Sequence, residues 1–153
     1  MDQTFSAIVP APLRCVQAAL ADLRSYQHWL DMVDEVEVAD SAQGDPGPAY
    51  FVTLIAKLGP FARRKRLRMV RTESGPEGAT FERREIDGRD HSPWVLGAKA
   101  TGRPTTVAMR LAYGGSLWSD ALGSVLEAQV NGAVDALASY AVAHHGSDIA
   151  PPQ

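Results

Sequence analysis

The chain's 153 residues suit one domain, and at that length roughly 68–70% of the unfolded surface can be buried without help from a disulfide or a metal. An apolar share of 45% and a charged share of 22% are those of an ordinary globular protein, and a formal charge of −3 argues against a general nucleic-acid binder. Cys15 is the only cysteine, which excludes an intramolecular disulfide and a cysteine-based zinc site; no metal and no cofactor is called for. Met1-Asp2-Gln3 carries no basic leader and no apolar run approaches a membrane span, so the expected location is the cytoplasm.

Residues Gln3 to Val9 read as a first strand, and Pro10 and Pro12 mark a turn, with Pro12 suited to a helix's first turn. Leu13, Val16, Leu20 and Leu23 recur at helical spacing through Arg24, and a second short helical piece spans Tyr26 to Met32. Cys15 falls on the apolar side of the first helix and reads as core. Period two then takes over, with Val36 and Val38 alternating with Glu35 and Glu37. The turn cluster Gly44-Asp45-Pro46-Gly47-Pro48 leads into a strand whose Tyr50, Val52, Leu54, Ala56 and Leu58 share one parity. Further strands are expected at Phe61 to Thr72, Thr80 to Ile86, Ser92 to Ala100 and Thr105 to Tyr113, each set off by Gly or Pro turns. Ser116 caps a final helix that runs to about His144, with the stripe Leu122, Leu126, Val130, Ala133, Leu137 and Ala141. About 28 residues at ~1.5 Å each give a rod of roughly 42 Å, enough to cross a sheet. Strands joined by tight turns and flanked by helices predict an α+β fold: a curved antiparallel sheet of about six to seven strands wrapped around the last helix, with two short helices after the first strand. The expected domain covers residues 1–146, and residues 147–153 form a disordered tail.

Several stretches carry a family resemblance. Ile8-Val9-Pro10-Ala11-Pro12 leads into a helix; Asp22, Tyr26 and Trp29 form an Asp-x3-Tyr-x2-Trp helix end; Val33-Asp34-Glu35-Val36-Glu37-Val38 follows; and Lys57-Leu58-Gly59-Pro60 looks like a hairpin. Over roughly residues 3–143 this resembles the START-like (SRPBCC) superfamily of polyketide cyclase/dehydrase and lipid-transport proteins. The nearest in flavour is the bacterial coenzyme-Q-binding and carbon-monoxide-dehydrogenase-accessory type. Leu30 departs from the family's frequent Pro after the Trp and is expected to lengthen the second helical piece. The resemblance implies a helix-grip fold and an apolar cavity under the long helix, filled in different members by lipids, quinones or polyketides, with some members enzymes.

From the residues themselves, strand parity turns Tyr50, Val52, Leu54, Leu67, Met69, Phe81, Trp94, Leu96, Val107, Met109, Leu111 and Tyr113 toward one concave face. Opposite them the helix is rich in small residues: Ala121, Gly123, Ala128, Gly132, Ala133, Ala136, Ala138 and Ala141. An interior Gly costs a helix about 1 kcal/mol relative to Ala, so Gly132 is expected to have a spatial reason, either room for a ligand or close packing of a strand residue. The ligand-binding set expected is therefore Trp29, Tyr50, Val52, Leu54, Lys65, Leu67, Met69, Phe81, Trp94, Met109, Leu111, Tyr113, Leu122, Gln129 and Ala133. The methionines serve equally as core filling; Trp29, Trp94 and Trp118 either stack on a flat ligand or close the ends of the core. Tyr50, Tyr113, Gln129 and Tyr140 are the polar groups suited to orienting a ligand.

Charge is unevenly spread. Asp31, Asp34, Glu35, Glu37, Asp40 and Asp45 lie between Gln27 and Asp45 with no Lys or Arg among them; Arg63, Arg64, Lys65, Arg66, Arg68 and Arg71 follow with no acid among them. Parity puts Arg63 and Lys65 on the inner face and Arg64, Arg66 and Arg68 in solvent. The bland outcome is a charged outer face that blocks edge pairing. The functional ones are an inner cation gripping a carboxylate or phosphate of an amphipathic ligand, or transient docking of a membrane or protein on the basic strand. No catalytic set stands out. Asp87, Asp90 and His91 surround a turn, His144 and His145 sit at a helix end, and Arg83 with Glu85 shares Phe81's parity as a rim ion pair. The leading expectation is thus a carrier of a hydrophobic small molecule, monomeric or homodimeric. A cyclase, dehydratase or hydrolase using the same cavity, and an accessory interaction module, are the rivals.

Overall fold

The computed structural model describes residues 2–58, 60–114 and 127–146. Seven strands, β1 (Asp2–Ile8), β2 (Val33–Ala39), β3 (Ala49–Leu58), β4 (Phe61–Gly75), β5 (Gly78–Arg83), β6 (Trp94–Thr101) and β7 (Thr106–Tyr113), form one antiparallel sheet in the order β1-β7-β6-β5-β4-β3-β2. Helix α1 (Leu13–Ala21) and a 3-10 helix (Leu23–His28) fill the connection from β1 to β2, and helix α2 (Val134–His145) closes the described chain. From β2 to β7 each strand pairs with the next in sequence, and β1 then docks on β7, a register that places Phe5 beside Met109.

Elements begin and end where backbone chemistry allows. β6 starts at Trp94 instead of Ser92, since Pro93 has no N–H to give the ladder. β5 stops at Arg83, short of the predicted Ile86, because the chain turns into a loop that holds Arg83 and Glu85. The second helical piece is a 3-10 helix ending at His28 and does not run to Met32; Leu30 does not lengthen it but is buried, its N–H bonded to the Tyr26 carbonyl at 2.9 Å.

The Asp-x3-Tyr-x2-Trp pattern has a clear structural meaning. Asp22 caps the 3-10 helix by accepting the Arg24 N–H, the Tyr26 hydroxyl donates to the Leu20 carbonyl at 2.8 Å, and the Trp29 indole donates to Ser25 Oγ at 3.2 Å. Ser25 in turn donates to the Ala19 carbonyl at 2.6 Å. Each buried polar atom of this corner therefore has a partner while its rings fill the core.

One contiguous core joins the layers: Val16, Leu20, Leu23 and Tyr26 meet Phe81, Met109 and Leu111 from the sheet and Val130, Leu137 and Ala141 from the C-terminal helical region. α2 packs chiefly on α1 and the 3-10 helix, and the buried Cys15 thiol faces the His145 carbonyl at the end of α2. The helix is interrupted: residues 127–132 are helical, Ala133 forms a turn, and α2 follows. Val130, Ala133, Leu137 and Ala141 of the predicted stripe are buried; Leu122, Leu126 and Trp118 lie outside the described residues, as does the expected tail at 147–153.

The outer side of β4 corrects one expectation. Arg64 and Arg66 face solvent, but Arg68 is only 1% exposed because the loop between β2 and β3 folds over it. That close approach requires Gly47, since a Cβ there would fall on the Arg71 carbonyl oxygen. A satellite apolar cluster of Ala39, Ala49 and Val70, joined by Phe51, lies under the same flap.

Candidate functional site

The inner face of the sheet is an apolar wall built in register. Tyr50 pairs with Met69 and Met69 with Arg83; Val52 pairs with Leu67; Phe81 pairs with Leu96 and Leu96 with Leu111; Trp94 pairs with Tyr113. Apart from Arg83 and Leu96, every one of these side chains is buried, as are Leu54 and Met109. A chain of aromatic contacts crosses it from Trp29 to Tyr26 (ring centres 4.6 Å apart), from Tyr26 to Phe81 (6.0 Å) and from Phe81 to Tyr50 (6.2 Å), the last two edge-on. Burial, assisted by the Asp22 charge, pushes the Tyr50 phenol above its usual value, so it stays a neutral hydroxyl.

One corner of this wall is charged. Lys65, opposite Leu54 in the ladder, carries its ammonium over the Trp94 ring, 5.8 Å from the centroid, and Trp94 stacks on Tyr113 at 4.9 Å. Arg83 donates through Nε to Glu85 Oε1 at 3.1 Å and through Nη1 to the Ser92 carbonyl at 3.2 Å; the Arg83 and Glu85 side chains are 8% and 18% exposed. Glu85 Oε1 also accepts the Arg68 N–H at 3.0 Å. Arg83 reaches His91 Nδ1 at 3.2 Å, and His91 Nε2 meets Asp87 at 2.8 Å on the exposed side of the loop. The Arg89 N–H and the His91 ring hold the Asp87 carboxyl below its usual range. Burial, with Arg83 adding its repulsion, lowers the Lys65 ammonium below its ordinary value, and Glu85 opposes them.

Two concavities are bounded by described residues. One of about 340 Å³ lies between Trp29, Asp31 and the helical stretch Ala128, Gln129, Gly132, Ala133 and Ala136. Another, of about 610 Å³, lies on the outer face around the β4–β5 turn, with Glu73, Glu77, Lys99 and Arg110 among its lining. Of the inward-facing strand residues only Ala79 and Ala98 enter the lining of the second, and none enters that of the first.

No family model matches the chain, and no curated protein matches it in sequence. Solved structures do match in fold. TTHA0849 from Thermus thermophilus is 17% identical with a TM-score of 0.60, over 94% of this chain and 98% of that one. Major latex-like protein 151 of Panax ginseng is 9% identical with a TM-score of 0.61, over 95% and 97%. The di-domain ARO/CYC StfQ of the steffimycin biosynthetic pathway is 11% identical with a TM-score of 0.61; the match covers 95% of this chain and 51% of StfQ, about half of that protein.

The chain has a helix-grip fold.

Within this helix-grip domain the described members of the expected ligand-binding set fall into two places. Tyr50, Val52, Leu54, Leu67, Met69, Phe81, Trp94, Met109, Leu111 and Tyr113 line the inner wall, with Lys65 at its charged corner. Trp29, Gln129 and Ala133 line the smaller concavity, where Gln129 Oε1 accepts the Met32 N–H at 2.7 Å and so ties the helical segment to the loop before β2. Leu122 lies outside the described residues. Tyr140 is stacked between His28 and His144, away from the wall.

The small-residue side of the helix needs correction. Ala133, Ala138 and Ala141 are buried, but Ala128, Gly132 and Ala136 are exposed. A Cβ on Gly132 would meet no protein atom within 4 Å, so close packing of a strand residue does not require that glycine. Arg63 is exposed on β4, which leaves Lys65 and Arg71 as the inner cations of the basic run; Arg71, paired with Phe81, donates to the Ala21 carbonyl at 3.2 Å. Arg83 and Glu85 belong to the same corner, and their shared parity with Phe81 was the available signal. The Ser25 support of Trp29 had no signal in the sequence, since its meaning depends on the 3-10 geometry.

The basic and acidic runs answer each other. Arg64 bonds Asp34 at 2.8 Å and Arg66 bonds Glu37 at 3.4 Å, each reaching across β3 to β2. Arg66 also lies over the Phe51 ring at 4.2 Å. The outer arginines are thus partnered within the sheet, which is the charged-face outcome rather than a bare docking stripe. Among the described residues no helix is long and apolar enough to cross a membrane, and no cluster of potential metal ligands occurs.

Proposed function

We propose that this domain binds and carries a hydrophobic small molecule, of lipid, quinone or polyketide-like character, between the inner face of the sheet and the C-terminal helix. The observation that carries the reading is the inner wall itself: aromatic and aliphatic side chains from five consecutive strands, with tyrosine hydroxyls and a charged corner as its few polar features. The outer hollow is a poorer candidate, because it opens on the side of the sheet away from the helices and has Glu73, Glu77, Lys99 and Arg110 in its lining. The wall is nearly closed to solvent, so loading requires the helical side to yield. The concavity at Trp29, Gln129 and Ala133 lies between the helical segment and the loop before β2. That StfQ, a di-domain ARO/CYC of the steffimycin biosynthetic pathway, shares the fold is in keeping with this reading.

The test is native mass spectrometry and solvent extraction of gently purified protein, with titration of the neutral apolar dye Nile red. Retained apolar mass or saturable dye binding is expected. A protein that holds no mass and binds no dye at saturating concentrations rejects the reading.

A second reading, a cyclase or dehydratase working in the same space, draws on the convergence of Lys65, Arg83 and Glu85. It is the weaker of the two. Glu85 Oε1 already accepts two N–H groups, and both His91 nitrogens are engaged, so the corner offers fixed charge more readily than a free base.

A further inference from the structure

Among the described residues, Lys65 is the charged group of the inner face that the fold does not answer. It makes no ion pair there, whereas Arg64, Arg66 and Arg68 each have a carboxylate. Its ammonium sits above Trp94 in the corner that also holds Arg83. Glu85, the acid nearest in chemistry, is committed to Arg83 and to the Arg68 N–H. Asp87 is turned toward His91, whose ring stands between it and Arg83. A partly desolvated cation beside another cation is unfavourable in the empty protein and is relieved by an incoming anion.

We infer that the ligand bears a single carboxylate, which docks on the Lys65 ammonium beside Arg83 while its apolar body lies along the Trp94–Tyr113 end of the wall. The inference rests on the hydrophobic-ligand reading above. Two cations and one committed carboxylate leave one net positive charge in the corner, which matches a monoanion and not a phosphate dianion. The carboxylate takes the ammonium's free donors, and Arg83, held by Glu85 and the Ser92 carbonyl, supplies field without moving. Trp94 and Tyr113, stacked on each other, make the apolar floor beneath the ammonium.

The experiment measures displacement of Nile red by decanoate, decan-1-ol and decyl phosphate from the wild-type protein and from Lys65→Met, Lys65→Gln and Lys65→Arg. The ratio of decanoate to decanol affinity is expected to fall at least tenfold in Lys65→Met and Lys65→Gln, with decanol unchanged, and to survive in Lys65→Arg. Decyl phosphate is expected to bind wild type no better than decanoate. If the dye binds but the ratio is the same in all four proteins, or if neither decanoate nor decanol displaces it, the carboxylate assignment falls and the hydrophobic-ligand reading stands. If decyl phosphate binds tenfold better than decanoate, the headgroup is a phosphate and the assignment is wrong. If the wild type binds no dye, the broader reading fails first. Dye binding by each variant reports that it has folded, and wild-type decanoate binding that does not weaken between 20 mM and 500 mM salt, with decanol as control, overturns the charge contact independently of any variant.

Discussion

Arg68 donates to the Asp45 carboxylate at 2.7 Å, with only 1% and 6% of the two side chains exposed. The same guanidinium donates to the Arg84 and Asp40 carbonyls, so one side chain fastens the flap between β2 and β3 onto the outside of β4. Removing either charge strands the other in a poorly solvated place. Arg68→Met is expected to cost roughly 3 kcal/mol in urea denaturation at neutral pH, and Asp45→Asn a comparable amount. The pH dependence has a definite sign. Hydrogen bonds from Arg68 and from the Ala42 N–H hold the Asp45 carboxyl below its ordinary value of 3.8, so its stabilisation is complete above that value and is lost as pH falls through the folded one. Asp45→Asn is expected to flatten that part of the acid limb.

Ser25 is the partner that lets a tryptophan be buried at the end of the 3-10 helix. Ser25→Ala removes both the acceptor of the Trp29 indole and a donor to the Ala19 carbonyl. A loss of about 2 kcal/mol is expected from chemical denaturation, together with a change in tryptophan emission. Unchanged stability would mean that water replaces the hydroxyl.

Gly132 is helical, exposed and free of any neighbour that a methyl group would strike. Gly132→Ala is expected to stabilise the protein by about 0.5–1 kcal/mol in thermal or urea unfolding, without altering Nile red binding. Weaker dye binding in this variant would restore the idea that the glycine makes room for a ligand.

Lys65 sets a slope in the alkaline range. Burial first, and then Arg83, lower its folded value below 10.5, with Glu85 opposing. The unfolded chain therefore keeps its proton to higher pH, and stability rises as pH climbs from the folded value toward 10.5. Lys65→Met is expected to remove that rise. The comparison is the difference in urea midpoint between wild type and variant, followed from pH 7 to pH 10.5.

The strands were legible because one face of the sheet is wet and the other dry. Val107, Met109, Leu111 and Tyr113 alternate with Thr106, Ala108, Arg110 and Ala112, and all four of the first set are buried. Parity failed at Arg68, where a loop distant in sequence covers the outer face, since alternation reports which side a residue faces and not what lies on that side. Composition misled in the helix for a related reason: small residues promise close approach only when they share the buried side, and Ala128, Gly132 and Ala136 do not. The inner wall could be read from the strands alone. Its charged corner required the loop after β5, whose path is set by the bonds of Arg83 and not by any periodic pattern.

The bridges that carry Arg64 to Asp34 and Arg66 to Glu37 over β3 have an evolutionary corollary. Two segments about thirty positions apart behave as a single electrical unit, so a charge reversal in β4 alone would leave like charges face to face with β2. Compensating drift is the easy route: descendants of this protein should exchange these signs in couples or lose them in couples.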